Sequence, residues 1–392
     1  MKDWSSLERG VLRDVFSRLP ADADVVSFRH VCHNWRLAGG DAGAPVPRPW
    51  FVFSRPSPTD GTRVFVRPAH RHGRRSHMKV VHTEDIGIKE EWAHTRAMSR
   101  GWLAVSEEGN RLLLRDPVSH VDVPLPAMDP VWQLCSIFLS DDPLVAPSEE
   151  FKTFAFFKST DGTDSGHLLA FCRSRDAEWT RINPDDGQPD LLWYYRGLEF
   201  FQGRAYVLLN DYRVALCDVD ARRLVVSTVE LEYPGHDEMY SQECLVEAGG
   251  DLLFMQVKQR FVQTARSSPC CVGPSYDIRF LAKMIKIEID ADGMPVKWSN
   301  VQEIGDYAFF VAGQGHSFAL PASGFPAVKA GCVYHFSAHV TMNFPEMIVS
   351  DLRQDPHLHE KTRKLKLPGP WRPLSWFCPR RPILDTTTMK RK

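Results

Sequence analysis

The hydrophobic residues at the start of the chain recur at the spacing of a helix. These residues form an apolar stripe and follow one another at intervals of four, one, three, one and three positions. They are Leu7, Val11, Leu12, Val15, Phe16 and Leu19. Charged and polar side chains fill the other side, and Pro20 follows the stripe. This spacing predicts an amphipathic helix. The helix should end before Pro20, because a proline in a helix interior removes a backbone hydrogen bond and clashes with the preceding turn.

A second helix is predicted directly after the first. Asp24 is a suitable N-cap, and the pair Gly39 and Gly40 is a suitable stop. Its apolar side carries Val25, Phe28, Val31, Cys32 and Trp35. A helical unit of about 40 residues buries too little surface to be stable alone, so this stripe needs a partner. Periodicity leaves open whether the partner is the rest of the chain or another protein.

From about residue 100 the apolar runs become short and alternate with turn residues, which predicts an all-β domain. Five hairpins are predicted: 102–105 with 112–114, 154–157 with 168–171, 205–208 with 214–216, 252–255 with 284–287, and 332–336 with 347–349. A glycine often precedes the first run of a pair, and an aspartate often follows the second. These residues are Gly101, Gly203, Gly250 and Gly331, and Asp116, Asp218, Asp290 and Asp351. Both residue types favour tight turns.

The hairpins repeat along the chain. Ala104, Ala155, Ala205 and Leu253 occupy equivalent places and lie 51, 50 and 48 residues apart. This period matches a four-stranded propeller blade of roughly 40–50 residues better than a sandwich. The stretch from Gln256 to Asp277 is interpreted as a long insert between two strands.

The hydrophobic pattern changes from helical to strand periodicity along the chain, which predicts an α+β multidomain fold. With the composition it divides the chain into four parts. We expect a small all-α helical domain at residues 1–40, a Pro/Gly-rich linker at 41–61, a large all-β propeller-like domain at 62–385 and a basic disordered tail at 386–392. Residues 371–377 are predicted to pair with a strand near residues 50–53, because closing the ring removes exposed strand edges.

The residue types of the helical segment resemble an F-box. The resemblance is carried by residues 11–20 and 28–36, and it departs from the family where Glu8 follows Leu7 in place of the usual proline. It implies a segment that docks a Skp-type adaptor and, through it, a cullin. The implied adaptor-facing and internal residues are Leu7, Val11, Leu12, Val15, Phe16, Leu19, Val31 and Trp35.

Residues 240–377 are similar to the plant KIB-type β-propeller domain. The similar segments include 243–247, 308–313, 316–318, 331–336 and 349–352. That family commonly carries an N-terminal F-box, so the two resemblances support each other. Together they imply the substrate-recognition subunit of an SCF-type ubiquitin ligase, in which the propeller binds an unknown target protein.

Composition and charge narrow the alternatives. A formal net charge of −1 argues against nucleic acid or an anionic membrane as the partner. The nine cysteines are scattered without a Cys-x-x-Cys pair, which argues against a disulfide framework or a zinc cluster. Because no signal-peptide or membrane-spanning run is present either, the expected compartment is the cytosol or the nucleus.

The sequence offers no catalytic, metal-binding or cofactor-binding motif, so we expect a non-catalytic receptor without a cofactor. Two alternatives remain open. One is an interaction scaffold that acts outside a ubiquitin ligase and whose helices pack on the propeller. The other is an enzyme with a site in the central channel, which a central pocket with converging acids and bases would favour.

Overall fold

The computed structural model describes most of the chain. The described residues are 4–19, 28, 31–40, 50–54, 63–68, 78–81, 95–107, 111–116, 121–143, 151–160, 167–184, 195–230, 240–264, 275–301, 303–312, 316–324, 328–336, 347–353 and 372–377. Within these residues no helix has the length and hydrophobicity needed to cross a bilayer.

The N-terminal part contains a 3-10 turn at Trp4–Ser6, helix α1 at Arg9–Ser17 and helix α2 at His33–Gly40. Helix α1 lies where the apolar stripe predicted a helix, and it ends before Pro20. Its buried residues are Leu12 and Phe16, which pack with Phe28 and Ala38 into a small core.

The predicted helix from Asp24 to Gly39 is not continuous. Val31 and Cys32 are not helical, and α2 begins after them at His33. The rings of Phe28 and Trp35 lie 4.6 Å apart, whereas a continuous helix separates residues seven apart by about 10 Å along its axis. The break therefore allows both rings to enter the same core; Asp24 lies outside the described residues.

The helix ends at the predicted pair Gly39 and Gly40, and Gly39 has a packing role as well. It lies inside α2, and a Cβ at this position would come within 2.9 Å of the Phe16 ring. Because the Phe16 ring is buried in the small core, α1 and α2 can approach each other this closely only when residue 39 has no side chain.

The rest of the described chain is built from 24 strands. They are β1 (Trp50–Ser54), β2 (Arg63–Pro68), β3 (Met78–Val81), β4 (Thr95–Ser99), β5 (Trp102–Glu107), β6 (Arg111–Arg115), β7 (Asp122–Leu125), β8 (Trp132–Leu139), β9 (Lys152–Ser159), β10 (His167–Arg173), β11 (Thr180–Pro184), β12 (Tyr195–Phe201), β13 (Arg204–Leu209), β14 (Arg213–Asp218), β15 (Arg223–Glu230), β16 (Tyr240–Ala248), β17 (Asp251–Thr264), β18 (Ser275–Ile289), β19 (Pro295–Asn300), β20 (Tyr307–Phe310), β21 (Phe318–Pro321), β22 (Cys332–Phe336), β23 (Met347–Asp351) and β24 (Arg372–Phe377).

In the described residues these strands form six four-stranded units, which we call blades 1 to 6. Blade 1 has the order β24-β1-β2-β3, and blades 2 to 5 take β4–β7, β8–β11, β12–β15 and β16–β19 in turn. Blade 6 has the order β21-β20-β22-β23. Blades 3 and 4 are joined where β11 pairs with β15 in parallel. The predicted propeller architecture is confirmed, and a second 3-10 turn at Ala322–Gly324 follows β21.

All five predicted hairpins are present as antiparallel pairs, namely β5–β6, β9–β10, β13–β14, β17–β18 and β22–β23. The four glycines that precede them have φ angles between 73° and 82°. This left-handed backbone conformation suits glycine because other residues place Cβ too close to the backbone. The aspartates act as predicted in the turns: Asp218 and Asp351, for example, accept backbone N–H groups of Ala221 and Arg353.

The interpretation of residues 256–277 as an insert is wrong for most of its length. β17 continues to Thr264 and β18 starts at Ser275, with thirteen paired positions from Leu252↔Ile287 to Thr264↔Ser275. Polar and apolar residues alternate from Ser275 to Phe280 at the start of β18, as expected for a strand in a two-stranded arm that extends beyond the blade. Residues 265–274 lie outside the described part.

The ring closes as predicted. β24 pairs antiparallel with β1, with Phe51 opposite Trp376 and Val52 opposite Ser375. Blade 1 therefore takes one strand from the C-terminal end and three from the beginning of the β region. β1 lies inside the range assigned to the linker, at the place where the closing partner of residues 371–377 was predicted; the domain boundaries themselves stay predictions.

Apolar clusters lie between successive blades and form the core. Trp102 and Ile137 belong to the cluster between blades 2 and 3, and both are fully buried. Further clusters join blades 3 and 4, 4 and 5, and 5 and 6. In another cluster, between blades 6 and 1, Trp376 of β24 packs against Phe310 and Phe336 of blade 6. Neighbouring blades meet through edge strands, as where β4 contacts β8 and β12 contacts β16. We call these edge strands the inner strands, because they surround the centre of the ring.

Candidate functional site

The residues predicted to contact an adaptor divide into a buried and an exposed group. Leu12 and Phe16 are buried, and Leu7, Leu19 and Trp35 are partly buried against them, so these five hold the helices together. Val11, Val15 and Val31 are 48%, 39% and 51% exposed. The structure thus brings Val11 and Val15 to the same side of α1, one turn apart.

Two further apolar side chains of this part are exposed, and the sequence analysis did not select them. Trp4 is 62% exposed and Leu37 is 36% exposed. Trp4 precedes the helical stripe and Leu37 lies off the predicted apolar side, so periodicity gave no reason to choose either. We call Trp4, Val11, Val15, Val31 and Leu37 the exposed apolar set.

The N-terminal turn is tied to α2 by side chains that reach its carbonyl groups. Asn34 Nδ2 donates to the carbonyl oxygens of Leu7 at 2.8 Å and Ser5 at 3.2 Å. Trp35 Nε1 donates to the carbonyl oxygen of Trp4 at 2.8 Å. These bonds fix the backbone next to Trp4, so its exposed ring is carried on an ordered turn.

A second candidate site lies where the inner strands meet. The Ser99 hydroxyl lies 3.4 Å from Nδ1 of His316, and Nε2 of His316 lies 3.2 Å from a carboxylate oxygen of Glu199. The backbone N–H of Leu139 donates to the same hydroxyl at 3.1 Å. Arg100 donates to the Leu139 carbonyl at 2.6 Å and lies 3.9 Å from the Glu199 carboxylate.

A serine, a histidine and a carboxylate in series are also the components of a hydrolytic triad. Here Ser99, His316 and Glu199 are at most 4% exposed. None of the three lines the cavity beside them, so a substrate has no room at the hydroxyl. We therefore assign this cluster a structural role: it joins blades 2, 3, 4 and 6 at the centre.

A charged pair lies nearby, between blades 4 and 5. Arg196 Nη1 donates to Oε2 of Glu243, whose Oε1 accepts from Tyr212 at 3.3 Å and Gln256 at 3.4 Å. Arg196 Nε donates to Oδ1 of Asn210 at 3.2 Å, and the guanidinium lies 4.8 Å from the centre of the Tyr212 ring. The buried Glu243 carboxylate is thus fully paired, and it holds the arginine in one orientation.

This pair borders a cavity of about 270 Å³ between the inner strands of blades 3, 4 and 5 and the start of blade 6. Its lining includes Ser136, Phe138, Arg196, Ser241, Gln242 and Ser317. Cys244 also lines it, and burial raises the pKa of this thiol to about 12. The thiol therefore stays protonated at neutral pH and is a poor nucleophile. No cluster of metal-ligating side chains occurs among the described residues.

Sequence reasoning did not select the residues of the cavity or of the Ser99–His316–Glu199 cluster. Glu243, Cys244, His316 and Ser317 do lie in the segments that resemble the KIB-type domain. The family resemblance of these segments was the signal in the sequence for a site. Arg196 and Glu243 are far apart in the sequence, however, and become neighbours only in the folded ring.

Comparison with known proteins assigns the family. The family model of the KIB1-4 β-propeller matches residues 76–359. The chain belongs to the KIB1-4 β-propeller family. Two Arabidopsis thaliana relatives of this family member are F-box proteins. F-box protein SKIP23 is 24% identical over 287 residues, covering 66% of this chain and 64% of its own length. F-box protein At2g17036 is 23% identical and matches 95% of each chain.

The resemblance of this chain to plant F-box proteins with a KIB-type propeller is therefore confirmed. The matched stretch spans less than two thirds of SKIP23, so activity and partners are not transferred from it. Among solved structures, the GH43_1 enzyme from Xanthomonas citri is 12% identical with a TM-score of 0.29, covering 62% of the KIB1-4 family chain and 84% of the enzyme.

Proposed function

We propose that this protein is the substrate-recognition subunit of an SCF-type ubiquitin ligase. The N-terminal helices bind a Skp-type adaptor and, through it, a cullin, and the propeller binds a target protein. The subunit supplies no reacting group and acts by bringing the target close to the ubiquitin-transfer machinery. It works in the cytosol or the nucleus.

The observation that supports this proposal is the exposure of Val11 and Val15 on α1. The adjoining face of the same helix already has a partner, because Leu12 and Phe16 are buried within the N-terminal core. If the apolar stripe served only internal packing, Val11 and Val15 would also be buried in that core. Each fully buried aliphatic side chain contributes about 1.5–3 kcal/mol, so exposed valines on an ordered helix favour a protein partner.

The identity of the partner is supported by the relatives and by the residue types. Both Arabidopsis thaliana relatives are F-box proteins. The segment that carries the F-box resemblance includes the exposed Val11, Val15 and Val31. An adaptor that offers an apolar groove fits this surface.

The test is the substitution Val15→Asp. Placing a carboxylate in an interface that excludes water costs several kcal/mol, and a micromolar interaction amounts to only about 8 kcal/mol in total. We expect Val15→Asp to abolish capture of the full-length protein by a purified Skp-type adaptor. Since Val15 is 39% exposed in the free protein, the thermal melt of the propeller should be unchanged.

Two control variants accompany this test. Val296→Asp alters a valine that is 50% exposed in the propeller, and Arg13→Ala alters the polar side of α1. Both should bind the adaptor as the wild type does. Binding retained by Val15→Asp would contradict the ligase proposal, and melting of the propeller by Val15→Asp would show that the helices pack on it. Either result would favour a scaffold acting outside a ubiquitin ligase.

A further inference from the structure

The cavity in the centre of the ring has the properties of a binding site for a small molecule. Its volume of about 270 Å³ is close to the lower limit of ligand pockets, which start at about 300 Å³. Residues of blades 3 to 6 line it, so it exists only when these four blades are assembled. A site of this size accommodates one aromatic ring with a polar substituent.

Arg196 presents a fixed hydrogen-bond donor at this cavity. Its Nη1 and Nε groups are bound to Glu243 and Asn210, and its guanidinium lies over the Tyr212 ring. Nη2 has no partner among the described residues, and the side chain is 29% exposed. An arginine held at two nitrogens loses little side-chain entropy when it donates to a ligand.

The charge around this donor determines the kind of acceptor. The Glu243 carboxylate, 2% exposed, already neutralises the guanidinium. The other carboxylate at the centre, Glu199, lies close to Arg100 and His316. A carboxylate ligand would add an uncompensated negative charge, whereas an uncharged carbonyl oxygen accepts the hydrogen bond without one.

The remaining lining is uncharged. Ser136 and Ser241 bring hydroxyl groups, Gln242 brings an amide, and Phe138 and Leu198 bring apolar surface. Hydroxyl and amide groups can serve either a donor or an acceptor on the ligand. A flat ring can contact Phe138 and Leu198 with its faces while a polar substituent meets the hydroxyl and amide groups.

We propose that the central cavity binds a small, uncharged carbonyl compound built on a single ring, with the carbonyl oxygen accepting from Nη2 of Arg196. Primary carboxamides of six-membered aromatic rings are the simplest members of this class. This site is independent of the adaptor surface, because it lies entirely within the propeller.

The experiment compares benzamide with benzoate, which have the same shape but differ in charge. Saturation-transfer NMR on the full-length protein at neutral pH should show transfer to benzamide, and benzoate should bind at least about tenfold more weakly. Arg196→Leu should weaken benzamide binding by a similar factor. Gly197→Val should abolish it, because Gly197 lines the cavity and a Cβ there has no neighbour closer than 3.9 Å.

Two further variants make the result specific. Glu243→Gln keeps the side-chain shape but removes the compensating charge, so it should reverse the preference in favour of benzoate. Arg173→Leu removes an arginine of blade 3 that pairs with Asp220 outside this cavity, and it should bind benzamide as the wild type does. A thermal melt of each variant confirms that it is folded.

Three results would overturn the proposal. They are the absence of transfer to benzamide at millimolar concentration, equal or tighter binding of benzoate by the wild type, and benzamide signals that survive both Arg196→Leu and Gly197→Val. If Glu243→Gln fails to fold, the two cavity variants still decide the question.

Discussion

At the residue scale, glycine positions test how far local backbone geometry determines this fold. Gly203 has a φ of 76° with nothing within 4 Å of an added Cβ, whereas Gly197 has no left-handed φ and no contact closer than 3.9 Å. We therefore expect Gly203→Ala to lower the free energy of unfolding by about 1–2 kcal/mol through backbone strain alone. Gly197→Ala in the same blade should be neutral. Urea denaturation of both variants measures the difference, and equal effects would contradict the strain argument.

The buried thiols predict how stability depends on pH. Burial raises the pKa of Cys172, Cys217 and Cys244 to about 12 and that of Cys332 to about 11. An unfolded thiol has a pKa of about 8.5, so above this pH the unfolded chain releases protons that the folded protein keeps. The stabilisation is complete below about pH 8.5 and is lost as the pH rises towards the folded pKa values.

Urea denaturation at about pH 7.5 and about pH 10 should show this loss, with a slope of about 1.4 kcal/mol per pH unit for each thiol. Cys217→Ala should have a smaller slope than the wild type, because one buried thiol is absent. Most other titrating groups are common to both proteins, and Tyr195→Phe in both backgrounds removes the tyrosine whose pKa is raised by burial and also by the Cys217 thiolate. Identical slopes would show that Cys217 ionises freely in the folded state.

The turn residues were predictable from the sequence, but the polar centre was not. Gly101, Gly203, Gly250 and Gly331 are determined by backbone conformations within a few residues, and sequence spacing reports such local requirements. The hydrogen bond between His316 and Glu199 joins residues 117 positions apart. Such pairs depend on which blades become neighbours, and no local pattern contains this information.

At the element scale, the helical segment shows where periodicity fails. The apolar stripe predicted α1, but the same criterion merged Phe28 and Trp35 into one helix, since both lie on one side at helical spacing. Periodicity cannot distinguish a continuous helix from two helices that fold onto the same core. The hairpin of β17 and β18 is the opposite case, because two paired strands continue into the stretch that the sequence predicts as an insert.

Asn34 makes two of the three hydrogen bonds that tie the N-terminal turn to α2, so its loss should loosen this connection. Asn34→Ala removes two hydrogen bonds to the carbonyls of Ser5 and Leu7, each contributing about 0.5–1.5 kcal/mol. We expect faster hydrogen exchange of the α1 amides with an unchanged melt of the propeller. Arg18→Ala is the control, because its ion pair with Asp14 is exposed on both sides and contributes little. Equal exchange in the two variants would mean that Asn34 does not hold the turn.

At the scale of the whole molecule, the number of blades is set by how the ring closes. The sequence repeat identified strand pairs in blades 2 to 6, but blade 1 is assembled from β24 and β1–β3, which are separated by almost the entire domain. Blade 6 also departs from the simple order, because β20 lies between β21 and β22 and pairs with β22 in parallel. A repeat of about 50 residues predicts blades, while closure requires complementary strands at the two ends.

Two truncations test closure by β24. Ending the chain after residue 377 removes only residues beyond the last strand and should leave the melting temperature unchanged. Ending it after residue 370 also removes Trp376, which is 3% exposed and donates from Nε1 to the carbonyl of Val311 at 2.9 Å. Losing a buried tryptophan alone costs about 3–5 kcal/mol, and the loss of β24 also exposes the edge of β1 and the Phe310 ring of blade 6. The shorter protein should therefore aggregate or melt at a much lower temperature, as size-exclusion chromatography and circular dichroism would show. A soluble protein with an unchanged melt would mean that the ring is stable without its closing strand.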